Sequence, residues 1–497
     1  MIKEKLLSFK NTVTNNPSFT LKEQLGYAGG MFGNCMGQDS VQTFADQFFR
    51  DYMGIDTGKM TIMGNILTAM GFISTSVAGN ALDTPPKPGH RSATKTILGI
   101  MPIPFALASL LLFIVPSSKV IVNFIWCLVL HIVFDVVDSF YDTSLTAMSL
   151  RMTTNPNDRK NFYTAATLAS ALGSMLPGWV IPMVVDRMPD ANKEKWAYFF
   201  MALVFCIIGL AMMYAPYFTL EEKVRVQQKP KKSVIQWDKN TFSALIHNRP
   251  FIVLQSATLF ETIRIISYKL LNYIYKQTFD DYSMKSVVDV ISGVLSYAGL
   301  AVVPMVGKKF TARTVLSAGF GWTGIMYTVM SLFALNFSLD KIRKNKLIVG
   351  VLIGLAGMPN QAISAAKKIV VGDSTDYMEW YSEKRFGEPI HSEGLISAVQ
   401  GLCAKIFTFV QTNLYNMLFK QIGYKANTFD ETTGKSVEAQ QSVSTLKGLY
   451  LMFVFCGMAG NILASLTYLF DNYSGKKRSE INKELDEMRE KRKAAEN

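Results

Sequence analysis

Long apolar runs, separated by shorter polar segments, recur along the whole chain. Four such runs cover residues 97–115, 120–137, 196–217 and 449–470. An α-helix needs ~20 mainly apolar residues to cross ~30 Å of hydrocarbon, whereas a helix on the surface of a soluble protein keeps a polar face. The pattern therefore predicts an all-α membrane protein that crosses the bilayer many times.

Turn residues and clusters of charge divide the chain into twelve predicted transmembrane helices. Their bounds are 25–49, 60–82, 94–116, 119–145, 162–185, 196–218, 251–275, 286–306, 314–335, 346–372, 393–422 and 446–470. The predicted parts are a cytoplasmic N-terminus (1–24), an N-terminal six-helix half (25–218), a basic cytoplasmic linker (219–250), a C-terminal six-helix half (251–471) and a charged cytoplasmic tail (472–497). Two six-helix halves joined in this way indicate the major facilitator superfamily fold. Within the tail, residues 479–495 are rich in charge and lack Gly and Pro, which predicts a solvated helix.

The charge of the chain supports this topology. The formal net charge is +13, from 51 Lys and Arg against 38 Asp and Glu. Basic residues are concentrated in the termini and the even-numbered loops, although the segment 340–346 is also basic. Cytoplasmic loops retain Lys and Arg, so we expect a multi-pass protein of the plasma or inner membrane with both termini in the cytoplasm. The same reasoning removes nucleic acid as a partner, because the positive charge lies between spans.

No signal peptide and no catalytic or metal motif is evident. Residues 1–16 are polar and contain no apolar core. The five cysteines are far apart, form no CxxC motif, and have no neighbouring His cluster. We therefore expect neither an enzyme nor a bound metal or cofactor.

Polar residues in the first predicted helix form a stripe. Asp39, Gln42 and Asp46 are spaced i, i+3, i+7, so they share one helical face. An ionised group at mid-bilayer costs from ~3 to more than 10 kcal/mol. Such groups normally face a bundle interior or a water-filled cavity.

The fourth predicted helix carries a second acidic stripe, Asp135, Asp138 and Asp142, with Tyr141 beside it. Two interpretations stay open: the stripes hydrogen-bond neighbouring helices, or they line a cavity. Cavity lining is favoured, because carboxylates and amides bind the hydroxyls of sugars and polyols. Asp39, Gln42, Asp138, Tyr141 and Asp142 are thus candidate solute ligands, whereas Asp46 and Asp135 are coupling or charge-pair candidates.

The C-terminal half contains charges of both signs within spans. Glu261 and Arg264 lie one turn apart on the seventh helix and could neutralise each other, so both are charge-pair candidates. Lys405 lies near the middle of the eleventh helix with no acidic residue within a turn, and Gln400 precedes it. We expect Gln400 and Lys405 to contact the solute.

Several motifs resemble the glycoside-pentoside-hexuronide:cation symporter family. They are Gly372-Asp373-Ser374-Thr375-Asp376-Tyr377-Met378-Glu379-Trp380, then Lys384-Arg385, Glu393-Gly394, Val399-Gln400, Lys405 and Gly423-Tyr424. The resemblance is strong in the C-terminal half and looser in the N-terminal half. It implies alternating access around a central cavity, with uptake of a sugar driven by Na⁺, Li⁺ or H⁺.

The chain departs from that family where the cation is bound. The positions of the family's second-helix carboxylates carry Gly71, Thr75 and Ser76. Its sugar-binding acids align with Cys35, one turn before Asp39, and with Ser139, next to Asp138. Hard cations are usually bound with the help of carboxylates, so we expect H⁺ coupling or no coupling rather than Na⁺ coupling.

Two functional hypotheses follow. The first is a secondary transporter of a glycoside, pentoside or hexuronide, monomeric within the lipid bilayer. The second is a membrane solute receptor or sensor that keeps the fold without transporting, which the missing second-helix carboxylates motivate. Binding of a solute without counterflow in vesicles would favour the sensor.

Overall fold

The computed structural model describes residues 20–83, 92–152, 156–221, 239–306, 311–335, 338–389, 393–429, 436–437, 439–471, 473 and 475–496. Most of the predicted N-terminus (1–24) and of the basic linker (219–250) lies outside these residues. The described part is almost entirely helical. Its elements up to the linker are α1 (Leu21–Tyr52), α2 (Thr57–Asp83), α3 (Ala93–Ile100), α4 (Pro102–Leu111), α5 (Val120–Met152), α6 (Pro156–Val185) and α7 (Ala191–Thr219).

The elements after the linker complete the chain. They are α8 (Lys239–Ile246), α9 (Arg249–Tyr273) with a π-helical turn (Ile274–Thr278), α10 (Ser283–Val306), α11 (Ala312–Leu335), α12 (Leu339–Lys344), α13 (Lys346–Gly357), α14 (Asn360–Phe386), α15 (Glu393–Gln421), β1 (Thr428–Phe429), β2 (Ser436–Val437), α16 (Val443–Leu469) and α17 (Gly475–Glu496). The two strands pair antiparallel.

Each of the twelve predicted spans falls on one helix or on two consecutive helices. The third span is broken at Met101, before Pro102 begins α4, and the tenth is broken at Met358 and Pro359, between α13 and α14. Proline has no backbone N–H and starts a helix more easily than it continues one. The predicted spans 94–116 and 346–372 therefore each consist of two consecutive helices.

Seven of the described helical segments are long and apolar enough to cross a membrane by length and composition alone. The helix α1 is not among them, because Gln38, Asp39, Gln42 and Asp46 interrupt its apolar surface. The helix α9 falls short as well and carries Glu261 among its buried residues. Five of the twelve predicted spans, those on α1, α2, α9, α10 and α15, are not among the seven, and three of these five helices (α1, α9 and α15) carry candidate site residues.

The described chain forms two compact units. The first comprises residues up to Lys231 together with Ala426–Ala439, and the second comprises Lys232–Lys425 and Gln440–Asn497. In the first unit α1 packs on α6 and α7, α4 packs on α5 and α7, and α2 packs on α5. In the second unit α9 packs on α15 and α16, α11 packs on α14 and α16, and α10 packs on α13 and α14. The same pairs of spans therefore recur in both units, a repeat that the residues themselves do not display.

Local capping interactions fix where several helices begin. Thr20 and Glu23 form a capping box at the start of α1, with the Thr20 backbone N–H donating to Glu23 Oε2 at 2.7 Å. Asn248 caps α9 by accepting from the backbone N–H of Phe251 at 3.2 Å. The Asn248 side-chain amide also donates to the carbonyl of Ser374 at 2.7 Å. This residue therefore joins the start of α9 to α14.

The C-terminal helix α17 docks against α14. Ile481 and Leu485 are buried on one face of α17, at 4% and 1% exposed. Ile481 packs with Tyr377 and Tyr473, whose ring centroids lie 5.2 Å apart. A helix was predicted here, but the expectation that it is solvated all round was wrong, because two apolar residues one turn apart form a narrow buried stripe.

Charged groups surround this apolar contact. Arg478 donates through Nε and Nη2 to Asp373 Oδ1, at 3.0 and 2.6 Å. Arg489 and Arg492 both donate to the carboxylate of Glu379. Hydrogen bonds between charged groups are stronger than neutral ones, so α17 is attached to α14 at both of its ends.

Glu484 of α17 forms a third attachment to α14. Its Oε2 accepts from Lys384 Nζ and from Trp380 Nε1, each at 2.8 Å, while Lys384 lies over the Trp380 ring at 4.8 Å. The hydrogen bonds from Lys384 and Trp380 lower the pKa of Glu484. The hydrogen bond to Glu379 raises the pKa of Arg489. Both groups are therefore held in their charged forms.

We expect Glu379→Gln to loosen the docking of α17. The substitution removes the negative charge that Arg489 and Arg492 share, at a cost of about 1–2 kcal/mol after allowance for the exposure of the arginines. Trypsin cleavage within α17 should then be about 5–30 times faster. The control is Glu487→Gln, on the exposed face of α17, which should leave cleavage unchanged. Equal rates in both variants would contradict the attachment.

Candidate functional site

The two acidic stripes predicted from the sequence meet in the first unit. Gln38 Nε2 on α1 donates to Asp138 Oδ2 on α5 at 3.0 Å. The second carboxylate oxygen of Asp138 is buried, and no described residue hydrogen-bonds to it. Asn34, one turn before Gln38, lies beside Asp138 and has a buried side-chain oxygen without a described partner. Two acceptor oxygens are thus left unused at one place.

A second group of side chains lies around Asp39 and Cys35 of α1. Ser174 on α6 lies against both Asp39 and Cys35 of α1. Asp142 on α5 is within electrostatic range of Cys35 and of Asp138. The predicted solute ligands Asp39, Asp138 and Asp142 therefore belong to one group of side chains, contributed by α1, α5 and α6. We call these three residues with Asn34, Cys35, Gln38, Ser170 and Ser174 the acidic site.

The chemistry of the acidic site suits hydroxyl-bearing solutes. Ionised carboxylates only accept hydrogen bonds, amides do both, and serine hydroxyls do both. A molecule with several hydroxyl groups can donate to the unused oxygens of Asp138 and Asn34. Gln42, also predicted as a ligand, is exposed on α1 and has no hydrogen bond among the described residues.

Tyr141 differs from its predicted role. Its side chain is fully buried, and its hydroxyl donates to the carbonyl of Met213 at 2.8 Å. These contacts attach α5 to α7 and leave no exposed ring for a solute. The residue is one position before Asp142, but this turn of the helix directs it into the core.

The other two acidic residues of the stripes have local partners. Asp46 Oδ2 accepts from Arg50 Nε at 3.2 Å, and Arg50 is fully buried and also donates to Thr57 Oγ1 at 3.0 Å. Asp135 lies 3.9 Å from His131 Nε2 on the same helix. Both pairs are of the i, i+4 type, so each of these carboxylates has a basic partner on its own helix.

Of the second-helix positions where the resembling family has carboxylates, Gly71 has no side chain and Thr75 carries a hydroxyl. Thr75 donates to the carbonyl of Gly71 at 2.9 Å. Ser74 Oγ lies 3.1 Å from Ser139 Oγ, which joins α2 to α5. Among the described residues no group of three or more His, Cys, Asp or Glu side chains could hold a metal ion.

The second unit holds its own charged group. Glu261 pairs with Lys367 of α14 and not with Arg264, the partner that sequence spacing had suggested. Arg264 donates instead to Asn360 Oδ1 at 3.2 Å and to the Tyr268 hydroxyl at 3.3 Å. Lys367 was not among the residues singled out in the sequence, although it lies within the tenth predicted span, 346–372. The signal available in the sequence was the i, i+7 spacing of Asn360 and Lys367, which puts both residues on one face of a helix.

Gln400 and Lys405 both lie on α15 in the second unit and are half-buried. Within the described residues, neither side chain has a hydrogen bond or an ion pair, and Lys405 in particular reaches no carboxylate of its own unit. Their predicted contact with the solute stays a prediction.

The family model described as "MFS/sugar transport protein" matches residues 26–473. The chain belongs to this family. The predicted resemblance, the major facilitator fold and the absence of an enzyme are thereby confirmed, since the relatives and the structural neighbours are transport proteins.

Individual relatives of this family member are distant. An isoprimeverose transporter of Lactiplantibacillus pentosus is 22% identical over 74% of the chain and 71% of its own length. An uncharacterized symporter of Bacillus subtilis is 22% identical over 90% of the chain and 92% of its own length. The crystal structure of a D-xylose-proton symporter has a TM-score of 0.60 at 11% identity, covering 90% of this chain and 97% of that one. At this identity, the similarity to the D-xylose-proton symporter shows the fold alone.

Asn34, Ser170 and Ser174 belong to the acidic site but were not among the residues predicted from the sequence. Asn34 precedes Gln38 by four residues, so its place on the same helical face was available from spacing. The two serines are spaced i, i+4 on α6, but small polar residues are frequent in membrane helices and hydrogen-bond their own backbone. Ser170 does so, donating to the carbonyl of Ala166 at 2.9 Å.

Proposed function

We propose that this membrane transport protein carries a neutral sugar or glycoside by alternating access, coupled to protons or uncoupled. The observation that carries the proposal is the acidic site, in which Asp138 and Asn34 hold buried acceptor oxygens without described partners. Buried polar groups without a partner cost free energy. A sugar hydroxyl that donates to such an oxygen would remove this cost.

Charge favours a neutral solute over an anionic one at this site. Asp39, Asp138 and Asp142 are grouped together, and Arg50, a buried cation of the same unit, is already bound by Asp46. A carboxylate or sulfonate on the solute would be repelled by these groups. We therefore place glycosides and pentosides before hexuronides.

Coupling to protons is supported by the same residues. Carboxylates inside membrane proteins commonly form proton relays, and the acidic site contains three. A sodium ion would have to rely on hydroxyls near the second helix, yet Thr75 and Ser74 already make hydrogen bonds there. This is poor coordination for a hard cation.

Uptake into proteoliposomes tests the proposal, with radiolabelled isoprimeverose and D-xylose as solutes. We expect uptake of at least one of them, stimulated several-fold by an acidic exterior or independent of any gradient, and insensitive to a sodium gradient. Uptake that follows a sodium gradient and ignores pH would contradict the coupling. Binding to the purified protein without uptake or counterflow would favour the sensor function instead.

The orientation remains part of the proposal. We propose that both termini lie in the cytoplasm, as the charge pattern predicts, and that the protein is a monomer of the plasma or inner membrane. Protease accessibility of tags at the two ends, in right-side-out vesicles, measures the orientation directly.

A further inference from the structure

The charged group of the second unit contains two unused polar atoms on neighbouring turns of α9. Glu261 is 5% exposed, and its Oε2 is bound by Lys367 while its Oε1 has no partner among the described residues. Arg264 uses Nη1 for Asn360 and Tyr268, while its Nε is buried and has no partner in that part of the chain either. One unused atom is an acceptor and the other is a donor.

The surroundings hold both side chains in place. The Arg264 guanidinium lies over the rings of Tyr268 and Phe320, with its Cζ 5.2 and 5.7 Å from their centroids. The amide of Asn360 donates to the Tyr268 hydroxyl at 3.3 Å. The backbone of α9 lies close to that of α16, so that a Cβ added to Gly460 would be 2.5 Å from the backbone nitrogen of Arg264. The unused atoms are therefore preorganised, which lowers the entropic cost of binding a ligand.

On the side of α14, residues beside the group are exposed. Asn360, Ser364 and Lys367 are spaced i, i+4, i+7, so they lie on one face of that helix. The Lys367 side chain is 25% exposed, and Ser364 is exposed. A charged lysine in a membrane-spanning helix is expected to face polar surroundings and not lipid. This face therefore gives a path to the two unused atoms.

The chemistry of the two atoms selects the ligand. A hydroxyl group can donate to Glu261 Oε1 and accept from Arg264 Nε at the same time, whereas a carboxylate or phosphate can only accept and would leave Glu261 Oε1 unused. Arg264 and Lys367 carry one positive charge more than Glu261, and the ring faces beside Arg264 partly offset it. A neutral hydroxyl is therefore favoured over an anion.

We propose that Glu261 and Arg264 form a hydroxyl-binding subsite of the second unit, which binds one hydroxyl or two neighbouring hydroxyls of the transported sugar. Lys367 positions Glu261 by holding its other oxygen. The inference rests on the proposed function, because the ligand is the same solute. It adds a polar subsite on α9 that is separate from the acidic site.

Binding of isoprimeverose to purified protein tests the roles of the two atoms. Arg264→Lys keeps the positive charge but removes the Nε donor, so we expect Kd to rise about 10- to 100-fold. The exchanged pair Glu261→Lys with Lys367→Glu restores an ion pair and removes the Glu261 acceptor, so it should fold with an unchanged Tm and also bind weakly. The control Lys368→Met, on the neighbouring exposed residue, should bind as the wild type does.

A structural ion pair gives the opposite pattern. If the exchanged pair is stable and binds isoprimeverose with a Kd within about twofold of the wild type, then Glu261 and Lys367 only hold two helices together and the subsite is wrong. If the exchanged pair is unstable, Arg264→Lys decides the question, because this variant keeps the positive charge at position 264 and the ion pair of Glu261 with Lys367. An unchanged Kd in Arg264→Lys overturns the proposal.

A second measurement does not depend on which sugar is transported. Ser364→Cys should react with a small charged methanethiosulfonate reagent faster than the unsubstituted protein, and 1 M glycerol should slow the reaction by several-fold through its hydroxyls. Absence of labelling, or labelling that glycerol does not slow, means that the group is closed or holds no hydroxyl, and overturns the subsite. Protection by glycerol in a protein that binds no sugar would support the subsite while contradicting the proposed function.

Discussion

Asp138→Ala is expected to lower uptake of the transported sugar by about 10- to 150-fold, since a hydrogen bond to a charged group contributes ~1.5–3 kcal/mol. The carboxylate has one oxygen bound by Gln38 and one left for the solute. Asp138→Asn keeps the size but replaces one acceptor by a donor, and it should also transport poorly. Initial rates in proteoliposomes, over a range of solute concentrations, measure both variants.

The fold should survive these substitutions. The substitution removes a buried acid that has an unpaired oxygen, and it takes the partner away from Gln38, so we expect a small change in Tm. Asp186→Asn, at the end of α6 and outside the acidic site, is the matched control and should transport normally. If Asp138→Ala transports isoprimeverose with unchanged KM and maximal rate, Asp138 has no part in solute binding.

Gly173→Val is expected to lower Tm by about 3–10 °C and to reduce the yield of folded protein, since overpacking costs about 1–3 kcal/mol or more. A Cβ at Gly173 would lie 2.3 Å from the carbonyl oxygen of Phe32 on α1 and 3.1 Å from its carbonyl carbon. These are backbone atoms, so α1 and α6 would have to separate. Close approach of helices at small residues is a principal source of association in membranes.

Gly372→Val provides the matched control. This glycine also lies inside a helix, α14, but a Cβ there would meet no atom within 4 Å. Both substitutions exchange the same residues in a helix interior, so their difference reports packing alone. Thermal unfolding followed by fluorescence-detected gel filtration measures it. Equal Tm values for the two variants would show that α1 and α6 tolerate separation at this point.

The positions of the spans were available from the sequence, whereas their continuity was not. Apolar runs of about twenty residues have few alternatives to a membrane helix, and all twelve coincide with helices in the structure. Pro102 and Pro359 broke two of them, although Pro177 and Pro182 lie inside α6 without ending it. Whether a proline ends a helix depends on what neighbouring helices offer to the freed backbone groups, and this is a tertiary property.

The members of the acidic site were only partly predictable. Spacing placed Asp39 and Gln42 on one face and Asp138 and Asp142 on another, because helical periodicity is local. It did not show that Gln38, and not Asp39, binds Asp138. It also could not separate Asp142 from its neighbour Tyr141, which is turned into the core.

The sequence by itself determined the class of this protein: its helices, its membrane location and its family, since each depends on composition and on spacing along one chain. The tertiary structure decided which charges meet. Glu261 lies three residues from Arg264 but binds Lys367, more than a hundred residues away, because α9 packs on α14. The arginines of the C-terminal helix α17 likewise bind carboxylates of α14. Partners between helices depend on how those helices are turned toward each other, and no local pattern records that rotation.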